Sequence, residues 1–338
     1  MLRLRHFLAA VLLVPVALCA ALVVSDERQT PRRVDPAAWG SDHVGKPLPP
    51  YVTGDECLFC HRTIGPSWPE NSHQLTIRPA DPDDPAIAAL RKTVGGDSIA
   101  DQVRYLLGSK RRTRFLKPSS KYGKLELFST AFVPKSAAND GQLRLSKKPH
   151  WEKPTFGDRC AGCHATAVDT KTRAFAARSL DCFACHGDVP LGHTKDIRQV
   201  LLSKKNRDPR VIISICGQCH LRGGKSKSSD LPYPNTFVSG DNLFRDFQVS
   251  FKDEAIKELP IADQHIFLNA RDVAVFGRTD LSCISCHDVH RQSSDKHQDL
   301  DHGNLCASCH VPGSDHTELK ATFLRAKASG AHSRVCDY

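Results

Sequence analysis

Residues 160–193 read CAGCHATAVDTKTRAFAARSLDCFACHGDVPLGH. The pattern Cys-x-x-Cys-His stands in it twice, at Cys160–Cys163–His164 and Cys182–Cys185–His186. On either side it returns at Cys57–Cys60–His61, Cys216–Cys219–His220, Cys283–Cys286–His287 and Cys306–Cys309–His310. In chain order these are motifs 1 to 6, and they take up twelve of the fourteen cysteines. Two thiols at this spacing add across the two vinyl groups of a haem, and the adjoining His ligates its iron, which makes each copy the attachment signature of a c-type haem. A zinc site has no need of a His directly after every second Cys. A disulfide closed across two residues leaves the histidines unexplained. A thioredoxin-like redox pair occurs once, beside a βαβ unit. The sequence therefore predicts six c-type haems.

Aromatic residues are only 7% of the 338 residues and charged residues 25%. That is a thin supply for two ordinary cores, and an apolar porphyrin disc can take a core's place. The expected fold is mainly α with extensive loops, wrapped around a haem stack. One small β element is expected between motifs 1 and 2. There, Asp84–Pro85 predicts a short helix through Leu90, with Asp as N-cap and Pro at the first helical position. Residues 103–107 and 122–133 (YGKLELFSTAFV) read as strands, with alternation in Leu125, Leu127 and Ser129. Residues 225–236 read as a surface loop and 315–328 as a terminal helix.

The N-terminus predicts export. Arg3 and Arg5 precede an apolar run from Phe7 to Val24, with a small-residue cleavage site at Cys19–Ala20–Ala21. Residues 1–24 are thus a signal peptide or a retained membrane anchor. Residues 25–50 are a Pro-rich linker, and residues 51–338 form the hexahaem domain. The expected location is periplasmic or extracytoplasmic, with membrane attachment through the N-terminal segment as one outcome. The formal charge of +10 is spread along the chain, apart from Lys110–Arg111–Arg112 with Arg114. Haem propionates offset much of it, at about −1 for each ferric haem. The expected partners are redox proteins and not nucleic acid.

Each iron needs a second axial ligand. The one Met is the initiator, so His/Met coordination is excluded and His is the remaining donor. Outside the motifs stand His6, His43, His73, His150, His193, His265, His290, His297, His302, His316 and His332. His6 belongs to the signal, which leaves ten donors for six positions. His290 follows His287 by three residues. On one helical turn the two point the same way, so His290 is expected to serve a haem other than that of motif 5. The same holds more loosely for His193 and His316. His150 and His265 complete the candidate distal set. His43, His297 and His332 read as solvated side chains.

CAGCHAT followed by LDCFACHGDVPLGH, CGQCHLRGG with a later SGDNL, CISCHDVH followed by CASCH, and the opening CLFCHRTIGPSWPENSHQ together resemble the cytochrome c554-like multihaem family over roughly residues 55–316. The resemblance implies His73, His193, His290 and His316 as distal ligands. GDVPLG replaces the family's GPG after motif 3, and no tetratricopeptide repeats are visible. The leading reading is an electron carrier. The alternatives are an oxidoreductase acting on a small nitrogen compound at one open iron, for which motifs 1 and 4 are first suspects, and a structural haem-wire subunit. No catalytic residues are assigned. Cys336 lies outside every motif.

Overall fold

The computed structural model describes residues 43–108, 112–135, 141–195, 200–202, 208–278 and 282–291. The N-terminal apolar run, the linker through residue 42, motif 6, the 315–328 segment, His297, His302, His316, His332 and Cys336 lie outside the described residues. Among the described residues no helix is long and apolar enough to cross a membrane.

Motif 1 is carried on α1 (Gly54–Cys60), which the Thr53 side chain caps. The next segment corrects the expectation of a mainly α fold with one small β element. Six strands form an antiparallel sheet: β1 (Ile77–Pro79), β2 (Tyr105–Leu107), β3 (Thr113–Pro118), β4 (Leu125–Val133), β5 (Gln142–Arg144) and β6 (Trp151–Glu152). They pair in the order β1-β2-β3-β4-β5, and β6 also pairs with β4. The nine-residue β4 is the organiser, and its successive side chains feed opposite faces. Phe128 and Phe132 pack with Phe115 and with Ile87 and Leu90 of α2 (Pro85–Arg91). Leu125 and Leu127 pack with Leu116, Phe156 and Ala161, the last inside motif 2. Both faces are covered, so β4 recruits partners from short flanking segments that carry little strand pattern of their own. The α2 helix begins where expected, and Asp84 accepts a hydrogen bond from the Ala86 N–H at 2.8 Å. A second short helix, α3 (Gly96–Ala100), closes this layer.

The remaining motifs ride on short elements. Helices α4 (Thr155–Arg159) and α5 (Ala161–His164) lead into a hairpin of β7 (Ala165–Asp169) and β8 (Ala174–Arg178). Motif 3 forms α6 (Cys182–His186). Motif 4 ends α7 (Pro209–His220), which packs against α9 (Ile261–Ala274) through Ile213, Leu221, Phe267, Ala270 and Val273. Between them lie β9 (Lys225–Ser226), its partner β10 (Phe247–Gln248) and α8 (Asp253–Lys257). Motif 5 starts on α10 (Cys283–Cys286). The 225–236 segment is irregular, but it is no free surface loop. Leu231, Tyr233 and Thr236 are buried in it, with Tyr233 only 1% exposed. Its apolar residues are too widely spaced to announce that packing.

Candidate haem-binding centre

The motif helices are four to seven residues long apart from α7. Helices that short do not persist alone, so tertiary contacts hold them. Asp181 caps α6 by accepting from the Phe183 N–H at 3.0 Å, and the Tyr51 hydroxyl donates to the same carboxylate. Tyr51 also packs edge-on against Phe183, which ties the approach to motif 1 onto motif 3. In motif 2 the second intervening residue is Gly162. A Cβ there would collide with the Tyr233 ring, so the variable positions of this motif are set by the buried tyrosine. The Tyr233 hydroxyl donates to the Gly157 carbonyl. Gly187 ends α6 at φ 65°, a left-handed turn that glycine adopts without strain.

Three pairs of histidine rings face one another, their exposure ranging from partial to full. His61 lies 6.0 Å from His193, with the ring planes 14° apart. His186 lies 6.0 Å from His290 at 4°. His220 lies 6.3 Å from His73 at 81°. Each pair joins one motif histidine to one from outside the motifs, and the two come from distant segments of the chain. Two imidazoles that shared one metal ion, each at a metal–nitrogen distance of about 2.0 Å, would have ring centres roughly 6 Å apart. The pairs therefore fit a six-coordinate haem. Among the described residues no three His, Cys, Asp or Glu side chains converge on a protein-only metal site. Two nitrogens are the number an iron already held by four porphyrin nitrogens still takes.

Surrounding protein atoms favour the neutral form at His73, His164, His186, His220 and His290. Burial pushes His164 and His186 down to about 4, and His220 likewise. Nearby His290 and His61 add to the effect at His186, as His73 and Arg222 do at His220. Burial also lowers His73 and His290. At those five positions the neutral ring keeps a free lone pair, as a metal ligand requires. The His164 Nδ1 is buried without a hydrogen-bond partner. Burial pushes the thiols of Cys160 and Cys185 up to about 11 and that of Cys182 to about 12. These are protonated thiols, unlike the low-pKa thiolates of disulfide-exchange sites.

The cysteines meet across motifs. Cys57 of motif 1 touches Cys182 of motif 3. Cys163 of motif 2 touches Cys219 of motif 4, and each of the two also points at a backbone carbonyl within the other's motif. Cys216 of motif 4 touches Cys283 of motif 5.

The other histidines fall elsewhere. His150 is exposed, with Nδ1 2.7 Å from the Lys148 carbonyl oxygen. His265 is exposed on α9, electrostatically near His220. His287 is half-buried at the end of α10. His43, read as solvated, instead places Nδ1 2.8 Å from one carboxylate oxygen of buried Asp241 and 3.0 Å from the other, so this end of the linker is docked on the domain. Of the basic cluster, Arg114 is inside the fold, donating to the Phe128 carbonyl. Tyr233, Tyr51, Asp181 and Asp241 are positioning residues outside the motif pattern. The SGDNL match is a faint pointer to Asp241.

No family model matches the chain. Among solved structures it is similar to an undecahaem cytochrome from the S-layer of Carboxydothermus ferrireducens. The TM-score is 0.42 and the identity 18%, over 79% of this chain and 44% of that one. The chain spans less than half of that protein's length. A likeness this loose adds no weight to the motifs and rings, and it does not extend to the cytochrome c554-like family.

Proposed function

We propose that the chain is an extracytoplasmic electron carrier holding six covalent c-type haems, most or all with two axial histidines. The observation that carries this reading is the pairing of a motif histidine with a non-motif histidine three times over, at 6.0–6.3 Å. His61 and His193 would hold the haem of motif 1, His186 and His290 that of motif 3, and His220 and His73 that of motif 4. A haem so held supplies one-electron exchange without ligand loss, at a potential lacking the raising influence of an axial Met.

The chain's own residues then order the sites. Touching thiols set motif 1 beside motif 3, motif 2 beside motif 4, and motif 4 beside motif 5. The Gln218 side chain of motif 4 donates to the Ala184 carbonyl of motif 3 at 3.4 Å. His290, three residues beyond motif 5, reaches motif 3. Motifs 3 and 4 thus stand at the centre of a connected set, with motifs 1, 2 and 5 around them. Short steps between sites are what a wire needs. Motifs 1 and 4, the first suspects for an open iron, each have a facing imidazole. Location outside the cytoplasm is supported by the N-terminal apolar run and by the exported setting in which haems are attached.

The test is made on the intact holoprotein. Mass spectrometry should give six haem additions, and the resting oxidised protein should be low-spin, with reversible one-electron reduction and no turnover of nitrite or hydroxylamine. Fewer haems, or steady turnover of either compound, would overturn the proposal.

A further inference from the structure

We propose that the motif 1 face is where electrons pass between this chain and a partner, and that the partner is a one-electron redox protein with a basic docking patch. The inference rests on the carrier reading. Of the nine cysteines whose exposure is described, Cys60 is the exposed one and the other eight are partly buried. Phe59, between the two cysteines of motif 1, is 73% exposed. Phe183, between those of motif 3, is 6% exposed. The difference places motif 1 at the edge of the connected set and motif 3 inside it. Electron transfer between proteins needs a redox group near the surface, and an exposed aromatic at the centre of a contact is a usual anchor. Arg62 lies over the Phe59 ring at 5.7 Å and covers one face of it.

Charge selects the partner. Asp55, Glu56 and Glu70 are exposed on the motif 1 segment, against the exposed cation Arg62. The 288–291 turn packs on this segment through Ser67 and Asn71. It adds one acid and one base, Asp288 and Arg291, and leaves the balance acidic. Ionised propionates at the site would deepen it. The whole chain carries +10, so this face runs against the average. Opposite charge raises the encounter rate and orients the approach.

The experiment uses the full holoprotein, reduced and mixed by stopped flow with a small basic mitochondrial-type cytochrome c, or with an acidic blue-copper protein. The rate constant with the basic protein should fall about tenfold as ionic strength rises from about 10 to about 200 mM. The double variant Asp55→Lys/Glu56→Lys should lower it by about tenfold at low salt, while the same reversal at Asp97 and Asp101 on and beside α3 should change it by less than about twofold. Equal effects from the two reversals would mean that net charge alone acts, and would overturn the proposal. So would faster reaction with the acidic protein, or self-association of the chain that buries Phe59. A low-spin spectrum with six haems in the variants keeps the carrier reading intact whichever way the rates fall. Loss of that spectrum in the unmodified protein would instead count against the carrier reading.

Discussion

The sheet region, residues 77–152, and the motif helices are stabilised by different materials. The sheet closes on Phe115, Phe128, Leu106, Leu116 and Leu127, all 2% exposed or less. Motifs 2 and 3, on α5 and α6, instead enclose the thiols of Cys160 and Cys185 and the neutral imidazoles of His164 and His186, with Ala161 and Phe183 as their buried apolar residues. Burying polar groups without partners is costly, and the His164 Nδ1 is one such group. The sheet therefore carries its own core, whereas the motif region is completed by what its cysteines and histidines bind.

That contrast breaks if the two regions respond alike to loss of the cofactor. In chain produced without haem attachment, hydrogen exchange should show protection lost across 161–164 and 182–186 and retained across 113–118 and 125–133. Equal loss in both would refute the division. A smaller perturbation comes from the sheet side. Phe128→Ala should cost about 3–5 kcal/mol in chemical denaturation through the cavity it leaves, with the haem spectrum and haem count unchanged. Gly162→Ala probes the seam between the regions. Its methyl group meets the Tyr233 ring and should cost about 1–3 kcal/mol. The penalty should shrink in a Tyr233→Ala background, where the ring is gone. Additive losses would remove Tyr233 as the cause. The mildest is Asp84→Ala, which strips the cap of α2. It should lower stability by about 1 kcal/mol in thermal denaturation of the sheet region.

Local rules are readable in the sequence, and long-range ones are not. The six motifs, the Asp84–Pro85 helix start and the strand character of 125–133 each rest on neighbouring residues. The full sheet escapes such reading because β1, β5 and β6 are two or three residues long and are strands only through pairing with β2 and β4. Thin aromatic content suggests a missing side-chain core. In fact Phe115, Phe128, Phe132 and Trp151 are concentrated in one region, where they suffice. The expected helical turn from His287 to His290 is absent, since α10 ends at Cys286 and His287 is extended, and spacing alone has no means of choosing the neighbour of His290. That neighbour, His186, is more than a hundred residues earlier. His43 departs from its expected solvated state for a related reason: its partner Asp241 lies 198 residues away.

The central claim is that histidines from one segment complete haem sites on another, and His290 tests it most directly. Electron paramagnetic resonance of the oxidised His290→Ala holoprotein should show one haem converted to high spin, with all six still covalently attached and the remainder low-spin. A spectrum that stays entirely low-spin would contradict the pairing of His290 with His186.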